Sequence, residues 1–247
     1  IPSPSVEFQN LSFRYHQHGE AVLKKLNLRI EAGEKVGIIG STGSGKSSFV
    51  QLIHRCYDAT EGKLLLGGID IKEISKESLM KEVAMVMQNP LLFSGSVEEN
   101  LRYGDQTATE EKMMQTLEKA QALSFINEER TLLSRVEQRG KNFSGGQKQR
   151  LSIARALMKE PSILILDDAS SALDMETEAQ LMKGISKLEK KMTLILVAQR
   201  ISSLMHMDKI IVMKEGEIEA VGRHEELLRV SPVYQSIAIS QLGKELA

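Results

Sequence analysis

The chain has 247 residues, 41% hydrophobic and 26% charged, with 32 Lys+Arg against 33 Asp+Glu and a formal net charge of -1. This is globular composition with enough apolar material for a core, and it excludes disordered, collagen-like and fibrous classes. The near-zero charge supplies no broad basic field for nucleic acid or anionic lipid, so no nucleic-acid partner is expected.

The chain opens on Ile1-Pro2-Ser3-Pro4-Ser5, without Met and without a signal-peptide pattern, which suggests a segment of a longer polypeptide. Period-2 alternation follows at Val6, Phe8, Leu11, Phe13 and Tyr15, and again at Leu26, Leu28 and Ile30, predicting strands of an antiparallel edge sheet. Residues 36–39 form a short apolar strand that runs into Gly40-Ser41-Thr42-Gly43-Ser44-Gly45-Lys46-Ser47 and then into a helical stretch over 48–57. The single cysteine, Cys56, lies in that stretch; it has no disulfide partner and is expected to be a packed free thiol. No Cys/His cluster has zinc spacing. Residues 90–158 are polar, Met-rich and Glu/Lys-rich, and read as a helical insertion. The β signal returns at 163–166, 193–197, 209–213 and 217–220, with an amphipathic helix over 177–189, and the tail from 224 to 247 reads as an amphipathic helix broken at Pro232. Strands alternating with helices predict an α/β fold with a mostly parallel, doubly covered sheet. The longest apolar runs fall far short of the roughly 20 residues that a membrane helix needs.

Two constellations carry chemistry. Gly40 to Ser47 fits G-x-x-x-x-G-K-(S/T) in full and sits between a predicted strand and a predicted helix, the context the phosphate-binding loop requires. Its glycines let successive N–H groups of Gly40, Ser41, Thr42, Gly43, Ser44 and Gly45 point inward, and the helix N-terminus, including Ser48, adds positive potential. Lys46 offers a point charge to β- and γ-phosphates, and Ser47 a hydroxyl to Mg²⁺. Four apolar residues, 163–166, then deliver Asp167 and Asp168 at a strand end, where an open α/β sheet places its ligand groups; Asp167 is the expected Mg²⁺ partner.

A third motif, Phe143-Ser144-Gly145-Gly146-Gln147, precedes a helix and resembles the signature of ATP-binding-cassette (ABC) ATPases, usually written LSGGQ, with Phe143 at the Leu position. The full motif set resembles that family over essentially the whole chain. The resemblance implies a P-loop ATPase cassette, with the catalytic core and an antiparallel β subdomain in 1–89 and 159–247 and a helical subdomain in 90–158. It implies Tyr15 stacking on adenine, Gln88 reaching the metal and the γ-phosphate side, and Ser171-Ala172-Leu173-Asp174 as the D-loop. It implies ATP and Mg²⁺ as ligands, with Ser47, Gln88 and Asp167 toward the metal. Such domains pair head to tail, so that Phe143 to Gln147 would face the ATP of a second ABC domain. They drive transmembrane domains, in exporters commonly preceding the cassette in the same chain, at the cytoplasmic face of the membrane. The segment Arg135-Val136-Glu137-Gln138-Arg139-Gly140 partly resembles the exporter X-loop, V-G-E-R-G.

The sequence departs from the family pattern at two places. Asp168 stands where the catalytic carboxylate is normally Glu, and Gln199 stands where the switch residue is normally His. Asp is shorter by about 1.5 Å in a geometry where a 1 Å misplacement costs about 10²-fold. Gln hydrogen-bonds but carries neither proton nor positive charge. The coincidence resembles the degenerate half of a heterodimeric multidrug exporter, binding Mg·ATP tightly and hydrolysing it slowly, with a different partner subunit carrying Glu and His. Alternatives from other classes are a soluble ABC ATPase coupled to DNA, disfavoured by charge and by the absence of heptads between Lys46 and Ser144, and a non-hydrolysing regulatory module. An importer ATPase is a further option within the family.

Overall fold

The computed structural model describes residues 4–127, 131–187 and 192–243. Strands β1 (Val6–Phe13) and β2 (Leu23–Ile30) pair antiparallel, Val6 opposite Ile30 and Phe8 opposite Leu28. The alternation sends Val6, Phe8, Leu26 and Ile30 inward, each no more than 2% exposed. Strand β3 (Lys35–Gly40) opens a second sheet and leads into helix α1 (Lys46–Ile53), which stops short of the expected residue 57 because Arg55 turns left-handed at φ 55°. That turn swings Cys56 out: the thiol is exposed, with its Sγ 3.6 Å from His54 Nδ1, which corrects the expectation of a packed cysteine.

Strands β4 (Glu61–Leu66) and β5 (Ile69–Asp70) complete the first sheet in the order β2-β1-β4-β5. Helix α2 (Lys76–Glu82), capped by the Ser75 side chain, runs straight into β6 (Val83–Met87). From there to residue 158 the described elements include four α-helices and two short strands: β7 (Gly95–Ser96), α3 (Val97–Arg102), α4 (Glu110–Lys119), α5 (Leu123–Asn127), β8 (Arg135–Val136) and α6 (Gly145–Met158). The two short strands pair as a small ribbon.

The remaining elements are β9 (Ile163–Asp167), α7 (Met175–Ser186), β10 (Thr193–Val197), β11 (Lys209–Lys214), β12 (Glu217–Gly222), α8 (His224–Val230) and α9 (Pro232–Leu242). Residues 188–189 of the expected 177–189 helix, and residues 244–247 of the expected helical tail, lie outside the described residues. The second sheet runs β12-β11-β3-β10-β9-β6, parallel throughout except for the β11–β12 hairpin. Every residue of β9 and β10 is buried, as a parallel strand covered on both faces requires. Because β9, β10 and β3 are neighbours, the loops after their carboxyl ends converge on one edge, where open α/β sheets bind ligands. Pro232 begins α9 at its first position, with Ser231 as cap, so here it starts a helix as well as breaking one. Among the described residues no helix is long and apolar enough to cross a membrane.

The helical segment is keyed to the core at Gly184 of α7. A Cβ there would lie 2.3 Å from the Lys119 carbonyl oxygen at the end of α4, a contact that real Cβ atoms do not make. Gly184→Ala is expected to destabilise the fold by about 1–3 kcal/mol, read as a lower urea midpoint at unchanged slope.

Candidate functional site

The loop between β3 and α1 is shaped by close backbone approach. Gly45, the residue before α1, has φ 100°, and a Cβ on it would lie 2.7 Å from Leu23 Cδ2. Gly40 is pressed against β11, where a Cβ would meet the Met213 oxygen at 2.3 Å. Lys46 curls back over the loop, its Nζ donating to Gly40 O at 2.8 Å and to Ser41 O at 2.9 Å. Burial lowers the pKa of this ammonium, while Asp168 and Asp167 oppose the shift.

Strand β9 brings Asp167 beside the loop, where its Oδ1 accepts from Ser47 Oγ at 3.3 Å. Asp168 turns left-handed at φ 52°, and its N–H donates to Val197 O at 3.0 Å, locking the ends of β9 and β10 together. Its Oδ2 accepts from Gln199 Nε2 at 3.1 Å. Burial raises the pKa of both carboxyls; the Ser47 bond opposes this at Asp167, and the Gln199 bond opposes it at Asp168.

These groups line a single cavity of about 290 Å³: Thr42, Gly43, Gly45, Lys46, Ser47, Ser48, Gln88, Asp167, Asp168 and Gln199, with Val22 and Val197 as apolar walls. Gly40 and Ser41 line an adjoining cavity with Lys46 and Gln199. Ser44 is buried, and Lys46 Nζ lies 3.5 Å from its Oγ. Tyr15 is outside the lining. It is 45% exposed and edge-on to Phe13 and Tyr57, and its hydroxyl lies 2.7 Å from Ser48 Oγ at the start of α1.

The residues 143–147 do not line this cavity. Ser144 caps α6 with a reciprocal box: its Oγ accepts from Gln147 N at 3.2 Å, and Gln147 Oε1 accepts from Ser144 N at 3.0 Å. A Cβ at Gly145 would meet nothing, and at Gly146 it would approach the Ala172 oxygen at 3.2 Å. The N-terminal end of α6 is thus exposed at Ser144 and Gly145, and a helix N-terminus open to solvent is an anion-binding device. Phe143 differs from its neighbours in being only 5% exposed: its side chain packs edge-on to Phe125 and anchors the turn in the core.

Sequence reasoning did not reach Arg200, Glu178 or Gln241. The Arg200 guanidinium donates to Glu178 Oε2 at 2.8 Å and to Ser170 O at 3.0 Å, tying the loop after β10 to the loop after β9. Gln241 lies 42 positions from Gln199, and no local pattern links them. Asp174 caps α7 through Thr177 N at 2.9 Å. Among the described residues no group of three or more His, Cys, Asp or Glu is placed to cage a metal. The oxygens of Ser47 and Asp167 beside the phosphate loop suit a hard ion such as Mg²⁺, which retains waters and takes its remaining ligands from phosphates.

A family profile described as ABC transporter matches residues 23–171. The chain is 43% identical over 233 residues to "Putative multidrug export ATP-binding/permease protein YgaD" of Bacillus subtilis (strain 168), covering 94% of this chain and 40% of that protein. It is also 43% identical over 228 residues to ABC transporter B family member 14 of Arabidopsis thaliana, covering 92% of this chain and 18% of that protein. The structure of a bacterial Atm1-family ABC exporter with ATP bound superposes with a TM-score of 0.93 at 34% identity, over 97% of this chain and 42% of that one. The chain therefore spans less than half the length of each of these relatives. A phosphate loop, an acidic strand end and a capped Ser-Gly-Gly turn on one cassette, matched over more than half the chain, make this chain a member of the ABC transporter family.

Proposed function

We propose that the chain is the ATP-binding and ATP-hydrolysing motor domain of an exporter of small molecules, placed at the cytoplasmic face of a membrane. The observation that carries this reading is the convergence of Lys46, Ser47, Asp167 and Asp168 on one cavity at the N-terminus of α1. Lys46 and the loop N–H groups hold the β- and γ-phosphates, and Tyr15 offers its ring to the adenine. Ser47 and Asp167, with Gln88 nearby, would hold Mg²⁺, which supplies charge neutralisation at the phosphates when bound. Asp168 and Gln199 flank the attacking water. In this reading Asp168 falls short and Gln199 cannot take a proton, so hydrolysis at this site is slow.

The exposed end of α6 at Ser144, Gly145, Gly146 and Gln147 completes the site of a second ABC domain bearing Glu and His at the two altered positions. The transmembrane partner docks on the exposed pair of rings Phe93 and Tyr103, beside which Arg155 stacks 5.2 Å over the Phe93 ring and donates to Leu91 O. The neutral net charge supports protein partners over DNA.

Equilibrium binding of a fluorescent ATP analogue tests the core of this reading: saturable binding strengthened by Mg²⁺ is expected, and its absence refutes it. Ser144→Ala separates the two roles. It removes one cap, at a cost of about 1 kcal/mol to the fold, and leaves the chain's own nucleotide affinity unchanged while lowering hydrolysis by the pair. A loss of the chain's own affinity would contradict the head-to-tail assignment.

A further inference from the structure

Helix α9 plays no part in the phosphate-loop chemistry, yet it grips the loop that carries Gln199. Gln241 Nε2 donates to Gln199 O at 2.6 Å, and Gln241 Oε1 accepts from Ile201 N at 2.8 Å. One carboxamide thus bonds both flanks of Arg200 as a neighbouring strand would, its NH₂ and its C=O matching the donor and acceptor of a peptide group. From the other side Arg200 holds Glu178, whose Oε2 also accepts from Ser203 Oγ at 2.9 Å.

Apolar packing holds the loop at Ile201, which is fully buried in the same core cluster as Tyr234 and Ala238 of α9, but not at the exposed Gln199. Beside Gln199 a cavity of about 600 Å³, lined by Ile39, Thr42, Gln199, Ile237 and Gln241 among others, lies between α9 and the phosphate loop. The helix itself is seated independently, by the fully buried Tyr234 and Ala238 and by the 2.7 Å contact of the Tyr234 hydroxyl with His224 Nδ1. A seated helix and a two-point hydrogen bond to the loop, beside an open cavity at Gln199, define a positioning device.

We propose that Gln241 is a positioning residue for ATP hydrolysis. By fixing the backbone at Gln199 and Ile201 it sets where the Gln199 side chain meets Asp168, now 3.1 Å away. The proposal rests on the reading above, in which Gln199 and Asp168 flank the attacking water. Gln241 is exposed, so its replacement removes the two bonds without opening the core.

The test uses Gln241→Ala and Gln241→Glu in the full chain, with the exposed Ser240→Ala as control. In nucleotide-free protein, amide hydrogen exchange at Ile201 is expected to quicken about 5-fold in Gln241→Ala, the effect of one lost hydrogen bond. Gln241→Glu keeps the acceptor and protects Ile201, but cannot donate to Gln199. In steady-state hydrolysis Gln241→Ala lowers kcat about 5- to 10-fold at unchanged KM for ATP, Gln241→Glu falls between it and the unaltered chain, and Ser240→Ala changes neither. Unchanged exchange at Ile201 overturns the clamp. Quickened exchange with unchanged kcat, or a rise in KM alone, overturns the positioning role. Failure of the unaltered chain to bind Mg·ATP refutes the proposed function instead, and the exchange readout still decides whether Gln241 holds the loop.

Discussion

Lys46→Ala is expected to weaken Mg·ATP binding by about 10- to 100-fold, because a hydrogen bond to a charged group is worth about 1.5–3 kcal/mol. The ammonium donates to Gly40 O and Ser41 O, which curls it over the loop. Its half-burial lowers its pKa, and an arriving phosphate reverses that pressure by supplying negative charge. Lys46→Arg is not a conservative rescue: a planar fork replaces a compact charge in a loop shaped by Gly40 and Gly45. Titration calorimetry with and without Mg²⁺ gives the comparison, and a thermal melt shows whether the fold survives. An intact fold with unchanged affinity would mean that the phosphates do not meet Lys46.

Contiguous chemistry is legible in the sequence: Gly40 to Ser47 is a local device, and the apolar run ending at Asp167 announces both a buried strand and its carboxylate. Long-range hydrogen bonding is not. Gln241 meets Gln199 only because α9 folds back over β11, and nothing at either position marks the other. Strand β4 escapes the alternation rule because its first half, Glu61-Gly62-Lys63, is exposed and polar, and its pairing with β1 decides its state. Strand β6 is short and Met-rich and follows α2 without a break, so it reads as more helix until β9 is present to pair with it. Phe143 shows a different limit: a motif position identifies a turn, while the direction of the side chain is set by Phe125 in the core.

Restoring both altered residues, Asp168→Glu with Gln199→His, is expected to raise turnover at this site by about 10²-fold, the scale on which 1 Å of misplacement acts. The two changes are coupled. Asp168 Oδ2 accepts from Gln199 Nε2 at 3.1 Å, so altering either residue alone breaks that contact and leaves its partner misplaced. The backbone cannot drift to compensate: Asp168 N is bonded to Val197 O, and the Gln199 loop is held between Gln241 and Arg200. Reach and proton capacity must therefore come from the side chains, glutamate supplying the added methylene and histidine the titratable nitrogen. The single variants are expected to gain less than the double by more than an additive sum allows. Phosphate release at saturating ATP, in the chain paired with a second ABC domain whose own site is inactivated, isolates this site. Unchanged release with pairing intact would show that Asp168 and Gln199 do not limit hydrolysis, and the degenerate-site reading would fall.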